Sequence, residues 1–576
     1  MTQKEQIARE IAVLTTSDKE EISKMLEQPA DKSHGDLSLP CFRLAKLLKK
    51  SPVQIAQELS AKLNAELSAK KMKGIRKIEP VNGYLNFYFD SALLASEIIP
   101  AILSKKEKFF QKKSFKPKKI MVEYSAPNTN KPLHVGHLRN DSIGMAISNI
   151  LEFEGNKVVR ANMVNDRGIH ICQSMLAYKK YGSKNSPESE KLKGDKFVGK
   201  YYVLFHQNAK EDPVLEEEAK KLLNLWEKND KETRALWKKM NSWVLEGFKE
   251  TYKNFGSEFD VFLMESEFYD KAKPIIDEGL EKGIFKKEET GRILALLEPE
   301  GLPDKVILRE DGTSIYVTND LAMTLHKFKN FKLDESIWVV ASEQNLYFKQ
   351  LFTIFKLLGY PWFNSCYHMS YGMIFLPEGK MKSREGKVID ADDLINEVKE
   401  LAKKELLKRY SDLSANELEK RAHAISLAAI KFMMLKIDHE KDFTFIPEQS
   451  ISFEGHSGPY LQYTYARAKS ILAKAEKYSL KNADFSRLNS ENEMQLIKLI
   501  YDLPAVIEHV AETKSIHTLA NHLLEIADSF NSFYHESQVL NADSGLKEAR
   551  LSLTEAVSIS IRAGLQLLNI RVLEKM

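Results

Sequence analysis

The chain has 576 residues, 43 % hydrophobic and 29 % charged, enough to bury several cores in roughly three or four domains. Its 85 Lys and Arg against 81 Asp and Glu leave a net charge of +4, too mild by itself to mark a polyanion-binding protein. Three scattered cysteines with no CxxC spacing argue against a disulfide framework or a thiolate zinc site, and neither a signal peptide nor a membrane span of about 20 apolar residues is predicted, so a reducing, cytoplasmic setting is expected.

Ile7, Ile11 and Leu14 share one helical stripe, which predicts a helix over 1–15. Ser51 with Gln54 forms a capping box with Pro52 in the first turn, and IRKIEPVNGYLNFYFD alternates as strands around Asn82-Gly83. Residues 1–104 therefore read as a small α+β domain. It ends in KKEKFFQKKSFKPKK (105–119), which is either a solvated linker or a basic seam for a polyanion.

KKIMVEYSAP predicts a strand ending near Pro127. The helix after it places Ile143, Ile147, Ile150 and Leu151 on one face, and Gly155 falls where a helix-ending glycine belongs. KVVRANMV (157–164) is a second strand, and strand–helix–strand at this spacing predicts a parallel sheet. Residues from 170 to about 300 read as a helical insertion. Strands resume at KVILR (305–309), TSIYV (313–317) and SIWVVA (336–341), followed by a helix over 345–358. Beyond about residue 400, amphipathic helices such as 460–477, 494–511 and 517–534 dominate. The predicted fold class is α/β: a Rossmann-like parallel-sheet domain (117–400) carrying the insertion, with an N-terminal α+β domain and a C-terminal all-α helical bundle (401–576).

At the mouth of the first helix stands NKPLHVGHLRN (130–140). Its two histidines admit three readings. Zinc would want further Cys, His or carboxylate ligands close by, and none is supplied locally. A capped structural turn is the second. The third is phosphate binding: free backbone N–H groups and the helix dipole favour an anion there, Gly136 leaves room for a nucleotide, and His134 and His137 can donate to phosphate oxygens. A second stretch supports the third. PEGKMKSREGK (377–387) follows the strand-like YGMIFL and carries Lys380, Lys382, Arg384 and Lys387 between Gly379 and Gly386. A hinged cationic loop of this kind can close over a triphosphate and stabilise departing pyrophosphate.

HVGH and KMKS resemble the two signatures of class I aminoacyl-tRNA synthetases. VEYSAPNTNKPLHVGHLRNDSIG, KGDKFVGKYYVLF, SFEGHSGPYLQYTYARAKSIL and FNSFYHESQVL are similar to the bacterial-type arginyl-tRNA synthetase family in particular, and the resemblance covers nearly the whole chain. It implies activation of L-arginine with ATP and transfer to the 3′ end of tRNA(Arg), with activation dependent on bound tRNA. It further implies a monomer, and Mg²⁺ carried by the ATP phosphates rather than by a protein cage; no zinc is expected. It assigns His134, Gly136, His137, Met373, Lys380 and Ser383 to ATP. Ser383 stands where the usual second loop lysine would be. Lys131, just upstream of the histidines, and Lys382 are the two candidates for the missing charge.

A planar guanidinium with five donors asks for a carboxylate and neutral acceptors. Glu123, an acid inside the apolar strand IMVEYS, is either an exposed edge residue or part of such a pocket. Tyr316 and Asp320 stand where a strand gives way to a helix, and Asp320 could equally cap that helix. The resemblance places Glu123, Asn128, Tyr316, Asp320 and Gln344 on the arginine. In the all-α part, Tyr460, Tyr463 and Arg467 fall on one helix face, as core or as a base-stacking surface. The resemblance makes them, with Tyr534 and Met576, part of an anticodon reader, and makes Tyr84 and Asn86 contacts of an N-terminal domain that touches the tRNA corner. A smaller nucleotidylyltransferase with an HxGH turn, or a tRNA-binding relative whose chemistry has lapsed, are the alternatives.

Overall fold

The computed structural model describes residues 3–27, 29, 31–69, 72–112, 116–310, 315–375, 389–475 and 478–576. By internal contacts the chain divides into two units, one of residues 1–109, 468–502 and 528–560, the other of residues 110–467, 503–527 and 561–576.

In the first unit, the helix Gln3–Thr15 buries Ile7 and Ile11 along the stripe its sequence predicts. The helix Pro52–Ser68 begins with the Ser51–Gln54 capping box and proline in its first turn. Strands β1 (Leu37–Pro40), β2 (Ile75–Val81) and β3 (Tyr84–Phe89) form an antiparallel sheet in the order β1-β3-β2. Asn82 and Gly83, between β2 and β3, both have positive φ (49° and 84°), as a tight hairpin turn requires. All four residues of β1 are buried, so no polar alternation marks it in the sequence.

The second unit is built on strands β4 (Lys119–Glu123), β5 (Lys157–Val164) and β6 (Val261–Met264), then β7 (Phe285–Lys287), β8 (Ile293–Ala295) and β9 (Lys305–Leu308), then β10 (Glu335–Ala341) and β11 (Cys366–Tyr371). Five of these make one parallel sheet in the order β11-β10-β4-β5-β6. The chain winds outward from β4 through β5 to β6, then returns to the other side of β4 with β10 and β11. The order therefore reverses between β4 and β10, and open α/β sheets bind ligands in the crevice at such a switch point. The helix Val135–Phe153 joins β4 to β5 and is buried along most of its length. Gly144 lets it approach the sheet: a Cβ there would stand 2.2 Å from the Tyr124 ring.

Three expectations are corrected. The helical insertion (Ile169–Tyr181, Gly194–Ala209, Val214–Glu227 and Lys231–Phe255, with the short turn Pro187–Glu190) ends at Phe255 rather than near 300, because β6 rejoins the parallel sheet. KVILR does form a strand, β9, but in a separate antiparallel sheet with β7 and β8. TSIYV is not a strand where it is described: residues 311–314 lie outside the described residues, and Tyr316 opens the helix Tyr316–Phe331. The β-branched residues suggested a strand, but the Ile315 N–H donates to the Thr318 hydroxyl at 3.0 Å, and Val317, Leu321 and Phe328 bury a helical stripe.

The predicted helix over 345–358 is Asn345–Leu358. The all-α part consists of Ala391–Arg409, Ala415–Leu435, Gly458–Lys474, Glu491–Thr513, Ile516–Glu536 and Leu546–Leu567, with the four-residue turn Pro447–Ser450. It also supplies a short strand, β13 (Phe443–Thr444), parallel to β12 (Ile374–Phe375). No helix among the described residues is long and apolar enough to cross a membrane.

Candidate active site

The histidine turn is an N-cap built from imidazoles. His134 has the extended backbone of a cap residue (φ −134°, ψ 175°), and its Nδ1 accepts the Gly136 N–H at 3.1 Å. The His134 N–H in turn donates to Nδ1 of His137 at 3.0 Å, and the two rings lie 4.0 Å apart. This is a capping box with histidine in both roles. Burial, then the charge of Lys131, pushes the His134 imidazolium down to about 3, and burial puts His137 well below its usual range. Both rings are therefore neutral near pH 7. With Nδ1 used as acceptor, each neutral ring carries its proton on Nε2, a donor suited to a phosphate oxygen. A Cβ on Gly136 would stand 3.0 Å from the His134 ring, so glycine keeps the cap closed. Lys131 and His134 line a cavity of about 210 Å³ with Lys196, Lys200, Tyr202 and Asp390, and burial lowers the Lys131 ammonium below its usual range.

The expected cationic loop (377–387), with Lys380, Lys382, Ser383, Arg384 and Lys387, falls within residues 376–388, which lie outside the described residues. Its two flanks are described, and both meet the histidine turn. On the far side, the Ala391 N–H donates to the Leu133 carbonyl at 2.9 Å, and His134 bridges Asp390. On the near side, Arg139 of the HVGH helix is fully buried. It donates to the carbonyls of Gly372 (2.6 Å), Met373 (3.4 Å), His439 (3.1 Å) and Lys441 (2.9 Å), with its guanidinium over the Phe443 ring. The Met373 N–H donates to the Asp442 carboxylate at 2.6 Å. Asn140, the next residue, ties the segment after β4 to β10 and β11 through one side chain. It accepts the Ser125 N–H at 2.6 Å and donates to the Val339 carbonyl (2.8 Å) and the Tyr371 hydroxyl (3.2 Å). Ser125 and Ala126, directly after β4, both adopt positive φ (74° and 48°), a backbone cost of the kind that collects at functional sites.

Of the predicted pocket residues, Glu123 and Asn128 stand at and beyond the carboxyl end of β4 and Gln344 beyond that of β10, while Tyr316 and Asp320 lie in the first two turns of the helix Tyr316–Phe331. Glu123 is the last residue of β4, paired in register with Trp338 of β10, and 7 % exposed. It is not an exposed edge residue. Its carboxylate already has an internal partner, the Lys327 ammonium, itself 1 % exposed and 4.9 Å from the Trp338 ring. Asp320, two helical turns before Lys327, accepts from the Tyr347 hydroxyl. Burial raises its carboxyl to about 6, with the nearby Glu123 charge adding to the rise and Lys327 opposing it. It does not cap its helix, whose N-cap is Ile315. Tyr316 is exposed at the same helix start. Asn128 is half-buried and bridges Asn165 beyond β5, and Gln344 is exposed beyond β10.

Sequence reasoning missed a further acid. Glu265, just past β6, is 3 % exposed and accepts from Asn319 at 2.8 Å. Burial lifts its carboxyl to about 7 despite the opposing Arg167 charge. The signal was there: an acid directly after the apolar VFLM, as Glu123 ends IMVE. Arg139, Asn140, Lys327 and Tyr347 were missed too, and no local pattern marks them, since each works through a partner distant in the chain.

The other predicted residues are more scattered. Tyr84 is 39 % exposed, with its ring 5.3 Å from Phe42, whereas Asn86 is 2 % exposed and accepts from Ser38 at 2.6 Å inside the N-terminal sheet. On the helix Gly458–Lys474, Tyr463 is half-buried one turn beyond the half-buried Tyr460, and Arg467, a further turn on, lies over the Tyr463 ring and donates to its hydroxyl at 3.0 Å. Tyr534 is 37 % exposed, and Met576 is buried in an apolar cluster.

A parallel sheet with a histidine-capped helix at its switch point, to which the residues flanking 376–388 are tied, and a helical C-terminal part define a class I aminoacyl-tRNA synthetase architecture. Sequence models of three families match in order: "Arginyl tRNA synthetase N terminal domain" over residues 1–89, "tRNA synthetases class I (R), catalytic domain" over 98–446, and "DALR anticodon binding domain" over 461–576. Curated relatives named arginine–tRNA ligase include one from Treponema denticola, 43 % identical over 96 % of this chain and 94 % of its own. Another, from Borrelia turicatae, is 41 % identical over 99 % and 97 %. The solved arginyl-tRNA synthetase of Thermus thermophilus superposes with a TM-score of 0.81 at 27 % identity, covering 96 % of each chain. The chain belongs to the class I arginyl-tRNA synthetase family.

Proposed function

We propose that this chain is an arginine–tRNA ligase that forms arginyl-adenylate from L-arginine and ATP, then esterifies the 3′-terminal adenosine of tRNA(Arg). The observation that carries the reading is the meeting of a neutral, histidine-capped helix start with both flanks of the 376–388 loop, beside a buried acidic cluster at the sheet switch point.

In the first step a carboxylate oxygen of arginine attacks the α-phosphorus of ATP. A carboxyl–phosphate anhydride bond forms, and the bond to the β-phosphate breaks as pyrophosphate leaves. Nε2–H donors of His134 and His137, and the helix N-terminus, steady the phosphate charge, with Lys131 and the loop lysines Lys380 and Lys382 adding cations. Gly136, Met373 and Ser383 hold the nucleotide. In the second step a terminal-adenosine hydroxyl attacks the activated carbonyl, the ester forms, AMP leaves, and the hydroxyl proton is released. Holding the reactants in line supplies much of the rate. Imidazole and ammonium nitrogens around the turn do not suit Mg²⁺, a hard, oxygen-seeking ion, so Mg²⁺ is assigned to the ATP phosphates.

Asp320 and Glu123 receive the arginine cation, with Asn128, Tyr316 and Gln344 orienting it. Glu123 shares its charge with Lys327, so Asp320 is the carboxylate with more left to offer the guanidinium. Residues 401–576 read the anticodon, with Tyr460, Tyr463, Arg467, Tyr534 and Met576 in or supporting that surface, and residues 1–104, through Tyr84 and Asn86, meet the tRNA corner. The matched family spans support this three-part order around a catalytic domain of 117–400. A cytoplasmic monomer whose activation step waits for tRNA rests on the family resemblance. Pyrophosphate exchange with ATP and arginine tests that dependence: exchange is expected only with tRNA(Arg) present, and exchange without tRNA contradicts it.

A further inference from the structure

Outside the reaction cleft, Asp438 and His439 sit in the short connection between the helix Ala415–Leu435 and β13, and His517 in the first turn of the helix Ile516–Glu536. Each brings one ligand-type atom into a group whose members all lie within 4.8 Å of one another. His439 is 8 % exposed, and its Nδ1 is buried without a hydrogen-bond partner, 3.7 Å from an Asp438 oxygen and so beyond bonding range. Nδ1 of His517 is also buried without a hydrogen-bond partner. Two such nitrogens in one small group with a carboxylate are unusual, because buried polar atoms are nearly always satisfied.

We infer that Asp438, His439 and His517 form a binding site for a divalent transition-metal cation, zinc being the best match. Two imidazoles and a carboxylate select zinc or cobalt over magnesium or calcium, which prefer oxygen donors throughout. Tetrahedral zinc with bonds of about 2.0–2.1 Å places its ligand atoms about 3.3 Å apart. The 3.7 Å separation is already near that spacing, and a group within 4.8 Å closes by small side-chain rotations. Three protein ligands leave a fourth position for water. The site also has a mechanical address. The carbonyl of His439 accepts from the Gly372 N–H at 2.8 Å and from Arg139 at 3.1 Å, so the residue that would ligate metal also braces the segment leading into the 376–388 loop. The helix N-terminus at His517 opposes a cation, and the Asp438 charge offsets it.

The full chain, stripped with a chelator and dialysed against chelator-buffered Zn²⁺, is expected to retain one zinc per chain by elemental analysis. Co²⁺ in its place should give the visible absorption of a four-coordinate nitrogen–oxygen site. His517→Gln should weaken zinc binding at least about tenfold and abolish the zinc-dependent rise in Tm, while its circular dichroism without metal matches the parent. Should that variant fail to fold, Asp438→Asn, at a partly exposed side chain, reports the same loss. Zinc at background level, or zinc retained equally by the parent and the variant, an adventitious ion only, would overturn the assignment.

Discussion

The Arg139 guanidinium donates to the Gly372 carbonyl at 2.6 Å across 233 residues of sequence, joining the histidine-capped helix to the entry of the cationic loop. Burial brings its pKa to about 10, with the Tyr371, Asp442 and Asp438 side chains opposing the drop, so it stays charged at neutral pH, and its hydrogen-bond acceptors are backbone carbonyls. Arg139→Met would leave those buried acceptors without a donor. The expected cost is on the order of 3 kcal/mol, together with a raised KM for ATP. Arg139→Lys should recover part of the stability and less of the KM, because an ammonium cannot span several carbonyls as a planar fork does. Thermal unfolding and ATP-dependent charging measure the two effects.

Asp320 sets a pH dependence. Its folded pKa of about 6 lies above the 3.8 usual for an aspartate, so the folded chain without ligand holds the proton more tightly, and this group's contribution to stability declines as pH rises from about 4 to 6. Arginine binding has the opposite sign, since a cation needs the ionised carboxylate. The KM for arginine should therefore rise as pH falls below about 6. Asp320→Asn should raise KM throughout and flatten that dependence. A wild-type KM for arginine that stays constant from pH 7 to 5 would remove Asp320 from the pocket.

Lys327→Met leaves Glu123 buried beside Trp338 with its cation gone, an expected loss of about 3–5 kcal/mol. Glu123→Gln combined with Lys327→Met removes both charges, and should lose less stability than the lysine change alone. The pair of thermal unfolding curves distinguishes an ion pair that supports the pocket from a carboxylate reserved for the substrate. If Glu123 also faces arginine, Glu123→Gln raises the KM for arginine.

Because burial keeps His134 and His137 neutral, their titration should not appear in the charging rate between pH 6 and 8. Removing the Nε2–H of His134 with His134→Ala should lower the rate about 100-fold at saturating arginine, the usual scale for losing one donor to developing charge. An inflection near pH 6.5 that disappears in His134→Ala would mean that the ring works as an imidazolium.

Much of the fold was legible because it is written in periodicity. The Ile143–Ile147–Ile150 stripe, the Asn82-Gly83 turn and the apolar strand at 336–341 each follow from local chemistry, and each stands where expected. The failures have equally physical causes. TSIYV looks extended, yet the Thr318 hydroxyl and the burial of Val317 and Leu321 make residues from 316 helical. At the site, the histidine pair was legible from its place between strand and helix, but not that its Nδ1 atoms close on the backbone. Glu123 was legible as an acid that needs a partner. That the partner is Lys327 depends on a contact spanning 204 residues, which no local pattern encodes.

A pocket cut for a flat, forked cation, joined to a nucleotide-binding helix start, is what sets the specificity of this chain. The direct measurement is charging of unfractionated tRNA with each of the twenty amino acids, and with canavanine, under identical conditions. Arginine is expected to be charged, canavanine nearly as well, and lysine less efficiently by roughly 10⁴-fold, since its ammonium leaves buried acceptors unpaired. Comparable charging with lysine, or charging with another amino acid and not arginine, would contradict it.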